Sequence, residues 1–208
     1  MSQILALLGS TAASGAGEKF LWEGINELTL ASDTQYISYT VSSAPYNTYD
    51  ALWFRMALRG GNQNAQGHLT VRVDGYSSAN VYQDQCYWAS SSGSFLFGYG
   101  NSQSYAEFRD VMTEYNDTAG RYGWVDLYVS GDRNETTYNG SQQGTANCGI
   151  QVIGGCNEGN MFQFASSSLP SQSVIGSMGT IQFGCGDVHG NGQFDAGTNV
   201  QVYGVSYG

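Results

Sequence analysis

Between Leu52 and Arg59 the chain alternates: Leu52, Phe54, Met56 and Leu58 are interleaved with Trp53, Arg55, Ala57 and Arg59. Side chains two residues apart share a face only on an extended strand, so the run predicts a strand with one apolar and one mixed face. A helix would scatter the four apolar side chains around its circumference. Gly60-Gly61-Asn62 ends the run with residues that tolerate positive φ. Beyond it Leu69, Val71 and Val73 alternate with Thr70 and Arg72. The two runs are expected to be adjacent strands of one antiparallel sheet with one face on the core. Arg55, Arg59 and Arg72 would then lie together on the polar side. That makes them a candidate interface patch for an acidic partner surface, or an ordinary solvated face.

The same period of two recurs. Phe20 to Leu30 predicts a first strand, and Ile37, Tyr39 and Val41 alternate in a second that Pro45 closes. Short strands are expected at Val81-Tyr82, Cys86 to Trp88 and Phe95 to Phe97. Tyr105 to Tyr115 fits a helix through Phe108, Val111, Met112 and Tyr115. It also fits a strand through Ala106, Phe108, Asp110 and Met112, and the strand is preferred. Val125, Leu127 and Val129 face inward on another strand. Gly149 to Ile153, Ser173 to Ile175, Thr180 to Phe183 and Asn199 to Val205 supply the rest. Many short strands between turn signals predict an all-β chain, a sandwich or barrel. Residues 18–208 are expected to form one domain. Residues 1–17, with Ile4, Leu5, Leu7 and Leu8 ahead of a Gly/Ser/Ala stretch, are expected to be an extended N-terminal arm. That leader lacks a basic flank and its apolar core is short for a secretory signal.

Only 12% of residues are charged, yet seven Lys plus Arg against seventeen Asp plus Glu leave a net charge of −10. A nucleic-acid partner needs a basic stripe to displace phosphate counterions, so none is expected. Membrane insertion is not expected either, because no apolar run approaches the roughly 18 residues that cross a bilayer. Cys86, Cys148, Cys156 and Cys185 lack Cys-x-x-Cys spacing, which disfavours zinc and redox motifs. They are expected as small buried residues, although Cys148 and Cys156 flank a stretch that a disulfide would staple as a hairpin. Asn116, Asn134 and Asn139 head glycosylation-type triplets, which mean little without a secretory context.

No catalytic residues emerge. The two histidines, His68 and His189, sit in no triad pattern, no nucleophile elbow is present, and no cofactor is implied. The run Asp187 to Asp195 resembles the start of a calcium loop, with oxygen donors at Asp187, Asn191 and Asp195 and Gly192 at the sharp turn. His189 offers nitrogen where a hard cation prefers oxygen, and Thr198 stands where a bidentate Glu belongs. The preferred reading is therefore a polar hairpin tip between Thr180–Phe183 and Asn199–Val205. Fifteen tyrosines and four tryptophans raise the alternative of a glycan-binding surface, although most lie at strand positions suited to core or subunit contacts.

Blocks along the chain resemble one family. Ile37-Ser-Tyr39 precedes Tyr49-Asp-Ala-Leu52-Trp-Phe54-Arg55, and Leu69-Thr-Val-Arg72-Val-Asp74-Gly75 precedes Asn80-Val-Tyr82. Phe108-Arg-Asp110 leads to Tyr115-Asn116. The chain closes on Phe194-Asp-Ala-Gly197-Thr198-Asn-Val200-Gln-Val202-Tyr203-Gly204-Val205. In this order the blocks resemble a family of tailed-bacteriophage virion proteins, over roughly residues 18–205. Ala44-Pro45-Tyr46 and the segment 131–172 depart from the pattern. The resemblance implies a jelly-roll-like β-sandwich, a structural role in the virion assembled in the bacterial cytoplasm, and no catalysis. The expected role is capsid decoration, or cement. The arm would lie on the major capsid protein, and the sandwich would cluster with itself as a homotrimer. The alternatives are a tail-tip or tail-fibre component that meets tail proteins and host surface glycan, and a carbohydrate-binding module.

Overall fold

The computed structural model describes residues 20–62, 64, 67–73, 82–89, 95–108, 111–114, 120–130, 147–155, 162–170, 179–186 and 188–207. For 20, 82–89, 95–103, 147–149, 162–170 and 207 the backbone alone is described. The expected arm, with Ile4, Leu5, Leu7 and Leu8, lies outside these residues, as do Asp187 and the Ser173–Ile175 strand.

The strands are β1 (Phe20–Thr29), β2 (Ile37–Thr40), β3 (Ala51–Leu58), β4 (Leu69–Val73), β5 (Tyr82–Ala89) and β6 (Phe95–Gln103), then β7 (Ala106–Phe108), β8 (Gly123–Ser130), β9 (Asn147–Gly155), β10 (Phe162–Pro170), β11 (Thr180–Cys185) and β12 (Asn199–Tyr207). They form two antiparallel sheets, a large one in the order β1-β12-β3-β8-β9-β10-β5-β6 and a small one in the order β2-β11-β4-β7. Two consecutive pairs, β5–β6 and β9–β10, extend the large sheet beyond β8. Without them the order becomes first-eighth-third-sixth in one sheet and second-seventh-fourth-fifth in the other. That is the jelly-roll arrangement of two interlocked Greek keys. The fold is an all-β sandwich.

The alternating phase of β3 decides which side faces in. Leu52, Phe54 and Leu58 have no exposure and Met56 has 4%. Leu69, Val71 and Val73 of β4 and Val125, Leu127 and Val129 of β8 are buried as their spacing predicts. The Phe54 ring lies 5.0 Å from Phe183 of β11 and 5.5 Å from Tyr39 of β2, so the two sheets meet through aromatic contacts. Val111 and Met112, just past β7, join the same core, and Ala106 and Phe108 take the inward strand phase.

Several expectations fail at the level of neighbours. β3 and β4 are not adjacent: β3 pairs with β12 and β8, whereas β4 pairs with β11 and β7 in the other sheet. Alternation reports which face is buried, and strands on opposite sides of a sandwich share that property. Nor do β11 and β12 form a hairpin, because the segment between them crosses from the small sheet to the large one. Phe194 in that segment is fully buried and bridges Thr34 and Gly60, so it is packed structure and not a polar tip. β9 runs as one strand from Asn147 to Gly155, so the stretch after Cys148 is no hairpin to be stapled. Cys185 is free and buried, which pushes its thiol pKa up to about 12. β10 had no counterpart in the sequence pattern, since Ser166-Ser167-Ser168 carries no apolar alternation. Pairing with β9 on one side and β5 on the other makes it a strand.

Candidate functional site

The outward phase of the large sheet carries the chemistry. Register aligns Tyr203 of β12, Trp53 of β3, Tyr128 of β8 and Gln151 of β9 in one row across the strands. The next row is Gln201, Arg55, Asp126 and Ile153, and the one after it brings Asn199, Ala57 and Trp124 together. Trp22 arrives from the edge strand β1, opposite Val205 and just before an irregularity between Gly24 and Asn26. Gly24 stands opposite Tyr203 and has no side chain to cover it.

The rings hold one another. Trp22 meets Trp53 edge-on, with centroids 4.4 Å apart, and Trp53 lies 5.0 Å from Tyr203. Such pairs favour edge-to-face and tilted geometry because a ring edge is positive and its face negative. The Arg55 guanidinium sits 5.0 Å from the Trp53 ring centre. Trp53 Nε1 donates to Asp126 Oδ1 at 3.1 Å, and Arg55 Nε donates to the same oxygen at 3.2 Å. Asp126 thereby fixes Trp53 and balances Arg55. A second set of bonds orders the amides. Tyr203 donates to Gln201 Oε1, Gln201 Nε2 donates to Glu27, and Asn199 Nδ2 donates to Thr29 and Glu27.

Two clefts result. One of about 230 Å³ is walled by Trp22, Trp53, Tyr128 and Ile153, with Asp126 and Gln151 as its polar members. The other, about 260 Å³, gathers Arg55, Trp124, Asn199 and Gln201, and shares Asp126 with the first. Trp22 is 51% exposed and Trp124 49%, values far above those of buried aromatics such as Phe54. Rings held open to water in this way, beside ordered polar groups, can stack on a ligand's C–H face while bonding its rim.

The three arginines expected to share a face do not. Arg55 lies on the outward side of the large sheet. Arg59 is 5% exposed, with Nε 2.8 Å from Asp195 Oδ2. Arg72 belongs to β4 of the other sheet, where Nε donates to the Ser104 carbonyl. In the calcium-like run, Asp195 is committed to Arg59, and among the described residues no group of three or more His, Cys, Asp or Glu converges to hold a metal. His68 Nδ1 lies 2.9 Å from Glu107 Oε1. His189 is buried over the outer side of the small sheet, between the Tyr36 and Tyr105 rings. Its contacts fit a neutral ring: the Thr70 hydroxyl donates to Nδ1, and Nε2–H donates to Gln182 Oε1. Burial first, and the nearby Arg72 charge second, push its pKa down to about 4.

Sequence reasoning did not single out Trp22, Trp53, Trp124, Asp126, Tyr128 or Gln151. One signal was there: Trp53, Trp124 and Tyr128 fall on the outward phase of strands whose inward phase is unambiguous.

No known family's sequence profile and no curated protein matches the chain. Among solved structures, the structure of infectious bursal disease virus Gt strain aligns at 9% identity and a TM-score of 0.11, covering 93% of this chain and 40% of that one. Similarity that low carries no argument, and the chain spans well under half of the viral one.

Proposed function

We propose that this is a non-enzymatic binding protein of a tailed-phage virion, a tail-tip or fibre component, that adheres to carbohydrate through the outer face of its large sheet. The observation that carries the reading is the exposed pair Trp22–Trp53, in edge contact and flanked by Asp126 and Gln151. Exposed tryptophan surface gains about 25 cal/mol for each Å² a ligand covers, and the polar neighbours fix the ligand's orientation. The virion setting comes from the sequence resemblance. A glycan array probed with the intact protein tests the reading. Binding that Trp53→Ala removes is the expected outcome, and an array without signal overturns it.

Capsid decoration is the second reading, and one observation favours it. β1 is an edge strand of the large sheet, it begins at Phe20, two residues beyond the arm, and its Leu21 is 63% exposed beside Trp22. Exposed apolar edges pair readily with another chain. On this reading the arm docks on the major capsid protein, the chain forms homotrimers, and deleting residues 1–17 leaves a folded sandwich that no longer binds particles. Copy number in purified particles separates the two: near parity with the major capsid protein supports decoration, a few copies the tail.

A further inference from the structure

We infer that the two outer-face clefts are adjoining subsites of one groove for a neutral glycan at least two sugar rings long. The inference rests on the adhesion reading above and goes further, to ligand charge and length. Its first support is placement. Both clefts use β3 and β8, and Asp126 is a wall of each. Trp53 pairs with Tyr128 in one, while Ala57, four residues along β3, pairs with Trp124 in the other. At a strand rise of about 3.3 Å per residue the two levels stand roughly 13 Å apart, a span for linked rings and not for one.

The second support is chemistry. A pyranose presents an apolar C–H face and a rim of hydroxyls. The first cleft is mostly carbon, through Trp22, Trp53, Tyr128 and Ile153, and offers a stacking surface. The second sets Arg55, Asn199 and Gln201 around the single ring of Trp124, which suits the hydroxyls of a neighbouring sugar. A carboxylate accepts up to about four hydrogen bonds. Trp53 and Arg55 use two on Asp126, which leaves it capacity for a hydroxyl shared between the subsites. At about 230 and 260 Å³ each cleft is smaller than the roughly 300–1,000 Å³ of drug-sized pockets, which fits one ring apiece.

Charge supplies the third support. Arg55 is balanced by Asp126, and Glu27 holds the Asn199 and Gln201 amides. Among the described residues the face therefore has no surplus cation to meet a uronate or sialate, and a chain of net charge −10 repels polyanionic glycans.

Isothermal titration of the intact protein tests this. The probes are glucose, malto-, cello- and chito-oligosaccharides of one to four units, and oligogalacturonates of the same lengths. In the neutral series that binds, affinity should rise about tenfold from one ring to two or three and then level off. Trp124→Ala should erase that gain, whereas Trp53→Ala should weaken single-ring binding about tenfold. Thermal melts of both variants check that they still fold. Equal affinity for one ring and several, a gain untouched by Trp124→Ala, or a preference for galacturonates overturns the groove and leaves adhesion standing. Silence from every sugar overturns adhesion and the groove together. Self-association that Trp22→Ala abolishes, without sugar binding, assigns the face to a second copy of the chain.

Discussion

The outer faces of the two sheets are built from similar residues and end in opposite states. On the small sheet, Tyr36, Tyr105, Thr70, Gln182 and Arg72 surround His189, which the segment between β11 and β12 lays over them. Thr70 has no exposure at all. On the large sheet, Trp53, Tyr128, Tyr203, Gln201, Arg55 and Asp126 form an equivalent mixture that the described residues leave partly open. Aromatic and polar side chains on an outward strand phase are thus structural where a connection covers them. Where none does, they are available to a ligand. Coverage, and not composition, separates the two.

The largest effect should come from beneath both faces. Phe54→Ala removes a fully buried ring that touches Phe183 and Tyr39, and should cost about 3–5 kcal/mol in chemical denaturation. A near-neutral result would mean that the inward phase has been assigned to the wrong side.

The covered face should reveal itself in acid. His189 has an ordinary pKa of 6.5 and is pushed down to about 4 by burial and by Arg72. Between those values the unfolded chain binds a proton that the folded chain refuses, so stability falls as pH drops through this window. The contribution is complete above pH 6.5, and its loss on acidification is about 3 kcal/mol at most. His189→Gln should flatten that part of the profile in urea melts. An unchanged slope would show that the face is not sealed.

Gly184→Ala attacks the same cover more gently. A Cβ there would stand 2.9 Å from the Gly190 nitrogen, closer than real Cβ atoms come to backbone, and 3.0 Å from His189 Nδ1, which would have to give way. Displacing the segment should cost about 1–3 kcal/mol and bring the His189 pKa back toward its ordinary value, visible in NMR titration. Stability kept with the pKa still low would contradict the close approach.

The open face should give the smallest effect on stability and the largest on binding. Trp22→Ala forfeits one edge contact on a half-exposed residue, worth about 1 kcal/mol or less. Sugar binding should nonetheless fall about tenfold. A large drop in melting temperature instead would make the platform a piece of structure, like its counterpart on the small sheet.

Local pattern was legible wherever one face of a strand is buried. Leu52, Phe54, Met56 and Leu58, with Val125, Leu127 and Val129, announced their inward phase, because burial at every second position is a property of a few consecutive residues. The strand expected over Tyr105 to Tyr115 held only at Ala106 to Phe108, and Val111, expected on the outward side, is buried. β10 was illegible beyond Phe164, since Ser166-Ser167-Ser168 carries no apolar alternation and pairing with β9 and β5 makes it a strand.

By itself, the sequence determined an all-β chain, the inward side of its clearest strands, and a net charge of −10. Only the tertiary structure decided that β3 and β4 lie in different sheets and that Arg55, Arg59 and Arg72 part company. It also decided that Trp22 reaches Trp53 from β1 while His189 is roofed over. The physical reason is that a period of two fixes a side chain's face, whereas its neighbours depend on pairing between strands far apart in the chain. A binding site is made of neighbours.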